Sequence, residues 1–381
     1  MKFFKKFLTK VFYISLKLPF TFWNFNTKNL KNIKTFQYLQ NDNEIVDFNR
    51  NNYYVYNKRK SFDFLSFKKI KLNKYYYCNI DKIYAVSAGD YPIFISNKLR
   101  VILESINLNL KYIYSSQFFR YLFKLTFNKP NKNFNNVICF AGSLNDNKFH
   151  WLIDYLPRLE YVVKNNLQND YEYIVNKHNI NFIRYYLKIL GINDKNIYLW
   201  NDTIANIENL HIYSSRYIKL QNNKYSLYSP KSILWLNSYF KKKYDYLSKN
   251  YKYKKVVILR KKNDLRNIIN ENEFINFLTK FNYDFIYLED FEEEKIVEIF
   301  NSIEVLITIH GAALSNIIFS KKIKIIEIFP DSRPEEDEFV YYQLSKILNF
   351  PHHVFVVDKN NCHNGIYINI ELFKKTLENI L

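Results

Sequence analysis

Small residues are what this chain most lacks. Five Gly and six Ala serve 381 positions, and no internal repeat or low-complexity linker interrupts the sequence. Cysteine is nearly as scarce. Cys78, Cys139 and Cys362 are odd in number, far apart and without CxxC spacing, which excludes a disulfide scaffold and a zinc cluster and leaves reduced, partly buried thiols. No apolar run reaches 18 residues, so no transmembrane helix is expected. Acids are missing from residues 1–41, which carry eight Lys.

What abounds is Lys, Asn, Ile, Tyr and Phe. Hydrophobic residues reach 48%, enough to fill sizeable cores, and the length suits two ordinary domains. Lys plus Arg outnumber Asp plus Glu by 56 to 36, a formal charge of +20. Such an excess can mark nucleic acid or an anionic membrane as partner. An AT-rich coding sequence produces the same composition, and no binding motif or basic run accompanies the charge, so nucleic acid is not expected. At the N-terminus a helical reading sets Lys2, Lys6, Lys10, Tyr13 and Lys17 on one face and Phe4, Phe7, Leu8, Val11, Ser15 and Leu18 mostly on another, until Pro19 stops the pattern. Residues 1–19 therefore suit peripheral contact with a membrane surface, or a helix packed on the protein body. Lys10 and Lys17 interrupt the apolar core a secretory signal needs, and no small-residue cleavage site follows.

Strands and helices alternate at βαβ spacing along most of the chain. The first half reads as strands at 82–96, 135–142 and 171–175 and in "NIYLW" and "NLHIYSS", with helices at about 149–164 and 179–190. Pro230 opens a long helix with Ile233, Leu234, Leu236 and Tyr239 on its apolar side. Beyond it the alternation is cleaner: strands at "KKVVILR", "YDFIYLE", "EVLITI", "KIIEIF" and "HVFVVD", separated by helices. Asn270 with Glu273, and Asp290 with Glu293, match capping boxes. The acids of "EDFEEEK" read as capping and solvated surface, not as a catalytic pair. The His352–His353 and Cys362–His363 pairs read as surface or strand features. The class is α/β with a parallel, doubly wound sheet. The expected divisions are a basic amphipathic segment (1–25), an N-terminal α/β domain (26–225), a C-terminal Rossmann-like domain (226–368) and a C-terminal helix (369–381) that packs back on the first domain.

The scarce small residues cluster in "TIHGAALSN", Thr308–Asn316, between a strand and a helix. Gly311 permits a tight turn and close backbone approach, while Ala312 and Ala313 keep bulk away from the first helical turn, whose free N–H groups favour an anion. His310 falls at the carboxyl end of the strand, where open α/β sheets bind ligands, and Asn316 lies one turn on. Small residues can also serve only to let helix pack on sheet. Arg260, ending "VVILR", and Arg266 in the next loop can neutralise a diphosphate, and Glu327 in "KIIEIFP" can accept ribose hydroxyls. Arg260 and Glu327 could instead form a structural ion pair. A second constellation, "NKFHWLIDYLPRLEYV", sets His150 and Asp154 four apart, on one face of an α-helix. They suit a general base and its partner, half of a metal site, or a buried, satisfied histidine. No further ligands stand at metal spacing.

These segments resemble, in order, those of glycosyltransferase family 61, which includes capsular-polysaccharide enzymes and eukaryotic xylosyl- and N-acetylglucosaminyltransferases. The pattern N-x-F/Y-H-W-L-x-D-x-L-P-R-L is met by Asn147 to Leu159. A strand ending in Arg, then R-x-x-x-N-E, is met by Arg260, Arg266, Asn270 and Glu271. H-G-A-x-L-S/T-N is met by His310 to Asn316, and x-x-E-I-x-P by Glu327 and Pro330. The resemblance covers about residues 140–331, and the usual second Gly of H-G-A-G-L is here Ala313.

The resemblance implies a GT-B architecture, two Rossmann-like domains facing across a cleft. It implies inverting transfer from a nucleotide-sugar to a glycan or lipid-linked acceptor, without an essential metal or other cofactor. Arg260, Arg266, His310, Gly311, Ala312, Asn316 and Glu327 would then hold the donor. His150 or Asp154 would be the base, and Asn147, Trp151 and Arg158 would lie on the acceptor side. Lack of the membrane anchor typical of eukaryotic members favours a bacterial or viral enzyme at the cytoplasmic face of the membrane. A polysaccharide pyruvyltransferase using phosphoenolpyruvate, and a non-catalytic membrane-surface protein, are the competing expectations.

Overall fold

The structure, a computed structural model, describes residues 36–39, 44–47, 53–56, 69–72, 75–87, 91–96, 102, 130–142, 145, 147–177, 180–201, 204–220, 225–245, 253–261, 266–358 and 365–380. The basic segment 1–19 and the Cys362–His363 pair lie outside them. The chain divides into two compact units, one of residues 1–41, 74–151 and 158–215, the other of residues 42–73, 152–157 and 216–381. No helix among the described residues is long and apolar enough to cross a membrane.

The first unit is built on a mixed sheet. The strands Ile204–Tyr213, Lys132–Cys139, Glu172–Val175 and Ile197–Leu199 run parallel, in that order across the sheet. Tyr76–Ser87 pairs antiparallel with Ile204–Tyr213, with Pro92–Ser96 and with Phe36–Tyr38. Parallel βαβ alternation holds only for the strands after residue 130; the earlier ones close the sheet as antiparallel neighbours, a mixture common in large α/β sheets. Phe134, Val137, Ile174, Ala205, Ile207 and Trp200 fill its core.

The second unit carries a parallel sheet in the order Asp284–Tyr287, Lys255–Leu259, Val305–Ile309, Lys324–Pro330, His352–Val357, Tyr53–Tyr56. The strands "KVVIL", "VLITI", "KIIEIFP" and "HHVFVV" are almost continuously buried, as strands covered on both faces must be. On one face Ile307, Ile309, Ile326 and Ile328 pack with Phe274, Leu278, Phe373 and Leu377. Phe373 and Leu377 belong to the C-terminal helix, Ile370–Ile380. That helix thus covers the sheet it follows in sequence, a correction to its expected place on the first domain.

Local chemistry departs from the expected caps. The Glu271–Thr279 helix has no side-chain cap bond from Asn270. The Asn270 amide donates to Glu273 Oε2 and to Ile368 O, both at 2.8 Å, and accepts from Ile368 N at 3.0 Å, clamping the C-terminal segment to the loop behind Arg266. The next helix starts at Glu293, with Glu292 and not Asp290 at its N-cap. The Pro230–Tyr244 helix follows its signals: Ser229 caps it with Pro at N1. Its buried face is Ile233, Leu236, Phe240 and Tyr244, and Leu234 points outward.

Candidate active site

The first five strands of the parallel sheet, numbered along the chain from Lys255, lie in the order 2-1-3-4-5. That order reverses between Lys255–Leu259 and Val305–Ile309, and open α/β sheets of this order take ligands at the carboxyl ends of these two strands. Arg260 follows the first of them and His310 the second. Arg260 Nη2 donates to the His310 carbonyl oxygen at 3.4 Å, and Arg266 Nη1 donates to the same oxygen at 3.1 Å. Two guanidinium groups thus end on one peptide oxygen. Gly311 is the condition for this: a Cβ there would lie 1.9 Å from Arg260 Nη2 and 3.1 Å from Arg266 Nη1.

The segment after Gly311 is a 3-10 helix, Ala312–Phe319, rather than an α-helix. Its own side chains favour the tighter winding. Ser315 Oγ donates to Ala312 O at 2.6 Å and Asn316 Nδ2 to Ala313 O at 2.8 Å, three residues back in each case. Ala312 and Ala313 remain partly exposed, and the first amides of a helix have no partner within it. Asn316 is fully buried, which sets it in the packing of this helix and not on an open donor surface.

Glu327 is also fully buried. Parallel register pairs Thr308 with Glu327 and Ile325 with His352. With the two-residue period of a strand, His310, Glu327 and His352 therefore share one face. His310 Nδ1 reaches Glu327 Oε1 at 2.5 Å, His352 Nε2 reaches Oε2 at 2.9 Å, and Ser345 Oγ lies 2.9 Å from His352 Nδ1. Burial alone would raise the Glu327 pKa, but the bonds and charges of the two imidazoles outweigh it and hold it at about 2. Such a carboxylate only accepts, so both facing ring nitrogens carry hydrogens. Phe329 and Tyr341 meet the His310 ring edge-on at 5.1 and 5.2 Å. The ribose contact expected of Glu327 is thereby corrected: both its oxygens are taken by imidazoles. His352, read from sequence as a surface or strand feature, is a strand residue with no exposure.

The other constellation lies on one helical run, Lys148–Lys164. Asn147 opens it, accepting from Phe149 N at 2.9 Å. The run is α-helical to His150, π-helical over Trp151–Tyr155, 3-10 over Leu156–Leu159 and α-helical again from Glu160. π winding alters the α-helical spacing on which a His150–Asp154 pairing was read, and π turns are frequent at functional sites. His150 is half-buried and Asp154 buried. The buried Tyr228 phenol bonds to Asp154; burial first, then this carboxylate, pushes its pKa well up. Trp151 is fully buried and meets Phe140 edge-on at 5.7 Å, which makes it a core residue and corrects its expected acceptor role. Arg158 is half-buried and its carbonyl accepts from Tyr75 at 2.6 Å. Among the described residues no three His, Cys, Asp or Glu side chains are grouped to hold a metal ion.

Sequence reasoning missed Tyr341 beside His310, His352 on Glu327, Ser345 on His352, and Tyr228 on Asp154. The one available signal was the burial of "HHVFVV" as a strand, which forces a buried His to find a partner.

No curated protein matches the chain. The model of one family, Glycosyltransferase 61, matches residues 149–326. That span runs from the helix bearing His150 and Asp154, through Arg260, Arg266 and the His310–Gly311 turn, to the residue before Glu327. A match to this family suggests a glycosyltransferase, with a sugar donor and an acceptor as substrates. The match over residues 149–326 supports glycosyltransferase family 61 for this part of the chain.

Proposed function

We propose that the protein is an inverting glycosyltransferase of GT-B architecture, two Rossmann-like domains facing across a cleft, which takes its sugar from a nucleotide-sugar. The observation that carries the donor reading is the convergence of Arg260 and Arg266 on the His310–Gly311 peptide, at the switch point of the parallel sheet. Two guanidinium groups on one oxygen repel each other, and a diphosphate between them would turn that cost into binding. The partly exposed Ala312–Ala313 turn offers backbone amides to the same anion.

Chemistry follows from these parts. Fixed positive charge at Arg260 and Arg266 stabilises the departing nucleoside diphosphate, so the mechanism needs no metal. His150, the more exposed of the two candidates, takes the proton of the acceptor hydroxyl as that oxygen attacks the anomeric carbon. Asp154, bonded by Tyr228, is the alternative base. One displacement by one base inverts the anomeric centre. The acceptor is a glycan or lipid-linked sugar of a surface polysaccharide, and the transferred unit is a hexose or pentose. The enzyme works at the cytoplasmic face of a membrane, touched through the basic residues 1–19.

The deciding experiment is a thermal-shift panel of UDP-, GDP-, CMP- and TDP-sugars beside phosphoenolpyruvate. Saturation at a hundredfold excess over Kd adds about 2.7 kcal/mol to native stability. Stabilisation by one nucleotide series identifies the donor. Stabilisation by phosphoenolpyruvate alone would replace this reading with pyruvyl transfer.

A further inference from the structure

We propose that His352 and Ser345 are positioning residues for the arginine pair, acting through Glu327 and His310; the proposal rests on the donor-site reading above. Neither residue can meet a ligand, for His352 has no exposure and Ser345 only 2%. They are nevertheless joined to the site by an unbroken run of short contacts. The Ser345 hydroxyl, on the Glu335–Leu348 helix, lies 2.9 Å from His352 Nδ1. His352 Nε2 donates to Glu327 Oε2 at 2.9 Å, and Glu327 Oε1 accepts from His310 Nδ1 at 2.5 Å. The His310 carbonyl then holds Arg266 at 3.1 Å and Arg260 at 3.4 Å.

The relay crosses three neighbouring strands and ends on the peptide beside Gly311. A carboxylate gripped from both sides has one place to sit. His310, bonded at Nδ1 and flanked edge-on by Phe329 and Tyr341, has one ring orientation. Its backbone carbonyl, and hence the two guanidinium groups, are set by that ring. Losing His352 would leave Glu327 held from one side, buried and free to turn, at a cost in position as well as in stability. A buried ionic cluster that served stability alone would lower the melting temperature without moving affinity, and this difference makes the proposal testable. His352 and Ser345 both lie beyond the residues that the family model matches.

The test uses the full chain, inorganic pyrophosphate as the probe, and titration calorimetry beside circular dichroism. His352→Leu removes the donor to Glu327 at similar volume. It should fold and bind pyrophosphate about tenfold more weakly, the low end of what loss of an outer-shell partner costs a metal-binding histidine. His352→Gln restores an N–H donor and should bind within about twofold of wild type. Wild-type affinity in folded His352→Leu would overturn the relay, and so would His352→Gln as weak as His352→Leu. Should His352→Leu not fold, Ser345→Ala decides: about threefold weaker binding supports the relay, and unchanged binding overturns it. A wild-type chain without affinity for pyrophosphate overturns the donor-site reading itself, an outcome distinct from failure of the variants.

Discussion

Gly311→Ala is the sharpest probe of the proposed donor site. The new Cβ would lie 1.9 Å from Arg260 Nη2, 3.2 Å from its Cζ and 3.1 Å from Arg266 Nη1. Ordinary contact begins at 3.4 Å, so the Arg260 guanidinium must recede by about 1.5 Å. Its bond to the His310 carbonyl, already 3.4 Å long, is lost, and with it the placement of one cation. A hydrogen bond to a charged partner contributes about 1.5–3 kcal/mol, so affinity for UDP or pyrophosphate should fall about ten- to a hundredfold. Gly311 also has a backbone φ of 159°, which side-chain-bearing residues rarely adopt, so Ala should cost about 1–3 kcal/mol of stability. A double-mutant cycle with Arg260→Ala separates the two effects. If Ala acts by displacing Arg260, adding it to Arg260→Ala should weaken binding little further. Calorimetry at fixed ionic strength measures the affinities, and urea titration measures stability. Wild-type affinity in Gly311→Ala, or losses that add in full, would refute the reasoning.

Four further outcomes are expected. His150→Ala and Asp154→Ala should each lower turnover by about a hundredfold or more with donor affinity kept; normal turnover in both, measured by release of nucleoside diphosphate, would move the base elsewhere. Glu44 is 6% exposed and accepts from Lys231 N at 2.6 Å and Ser229 Oγ at 2.7 Å, so Glu44→Ala should destabilise the start of the Pro230–Tyr244 helix by about 1–3 kcal/mol in urea titrations. Anionic vesicles should bind the chain more tightly than neutral ones, less so in high salt, and deletion of residues 1–19 should abolish that difference. Stability should fall as pH drops from about 6.5 to about 4. Burial lowers the pKa of His211 to about 4, and burial with nearby His352 and Lys324 does the same for His353. In that window the unfolded chain takes up protons that the native chain refuses, and replacing both residues with Gln should flatten the dependence.

What could be read from the sequence, and what could not, divides along the range of the interaction. The strands of the parallel sheet were visible because a strand buried on both faces is written as a run of Ile, Val and Leu. The Gly311 turn was visible because small residues are scarce enough for a cluster to stand out. Register is a different matter. Whether Glu327 faces a ribose or two imidazoles depends on which residue of His352–Val357 stands opposite Ile325, and a slip of one position would turn His352 to the other face. Nothing local to either strand encodes that alignment. Tyr53–Tyr56 joins the same sheet beside His352–Val357 from some three hundred residues away, equally without a local mark. Helix chemistry failed for a different reason. Asn270 and Glu273 have the spacing of a capping box, and their side chains do bond each other, but the Asn270 amide caps no helix N–H and also ties the Ile368 backbone, while the α-like pattern around His150 winds as a π turn. At Asn270 a tertiary partner, the Ile368 backbone, takes the amide that the local rule assigns to the helix end. The overrides at Glu327 and Asn270 lie on the two routes that hold the arginines: one through His310, the other through the loop behind Arg266. The proposed donor site therefore departs from local rules where its cations must be held against their mutual repulsion, and binding of an anion there would account for the cost.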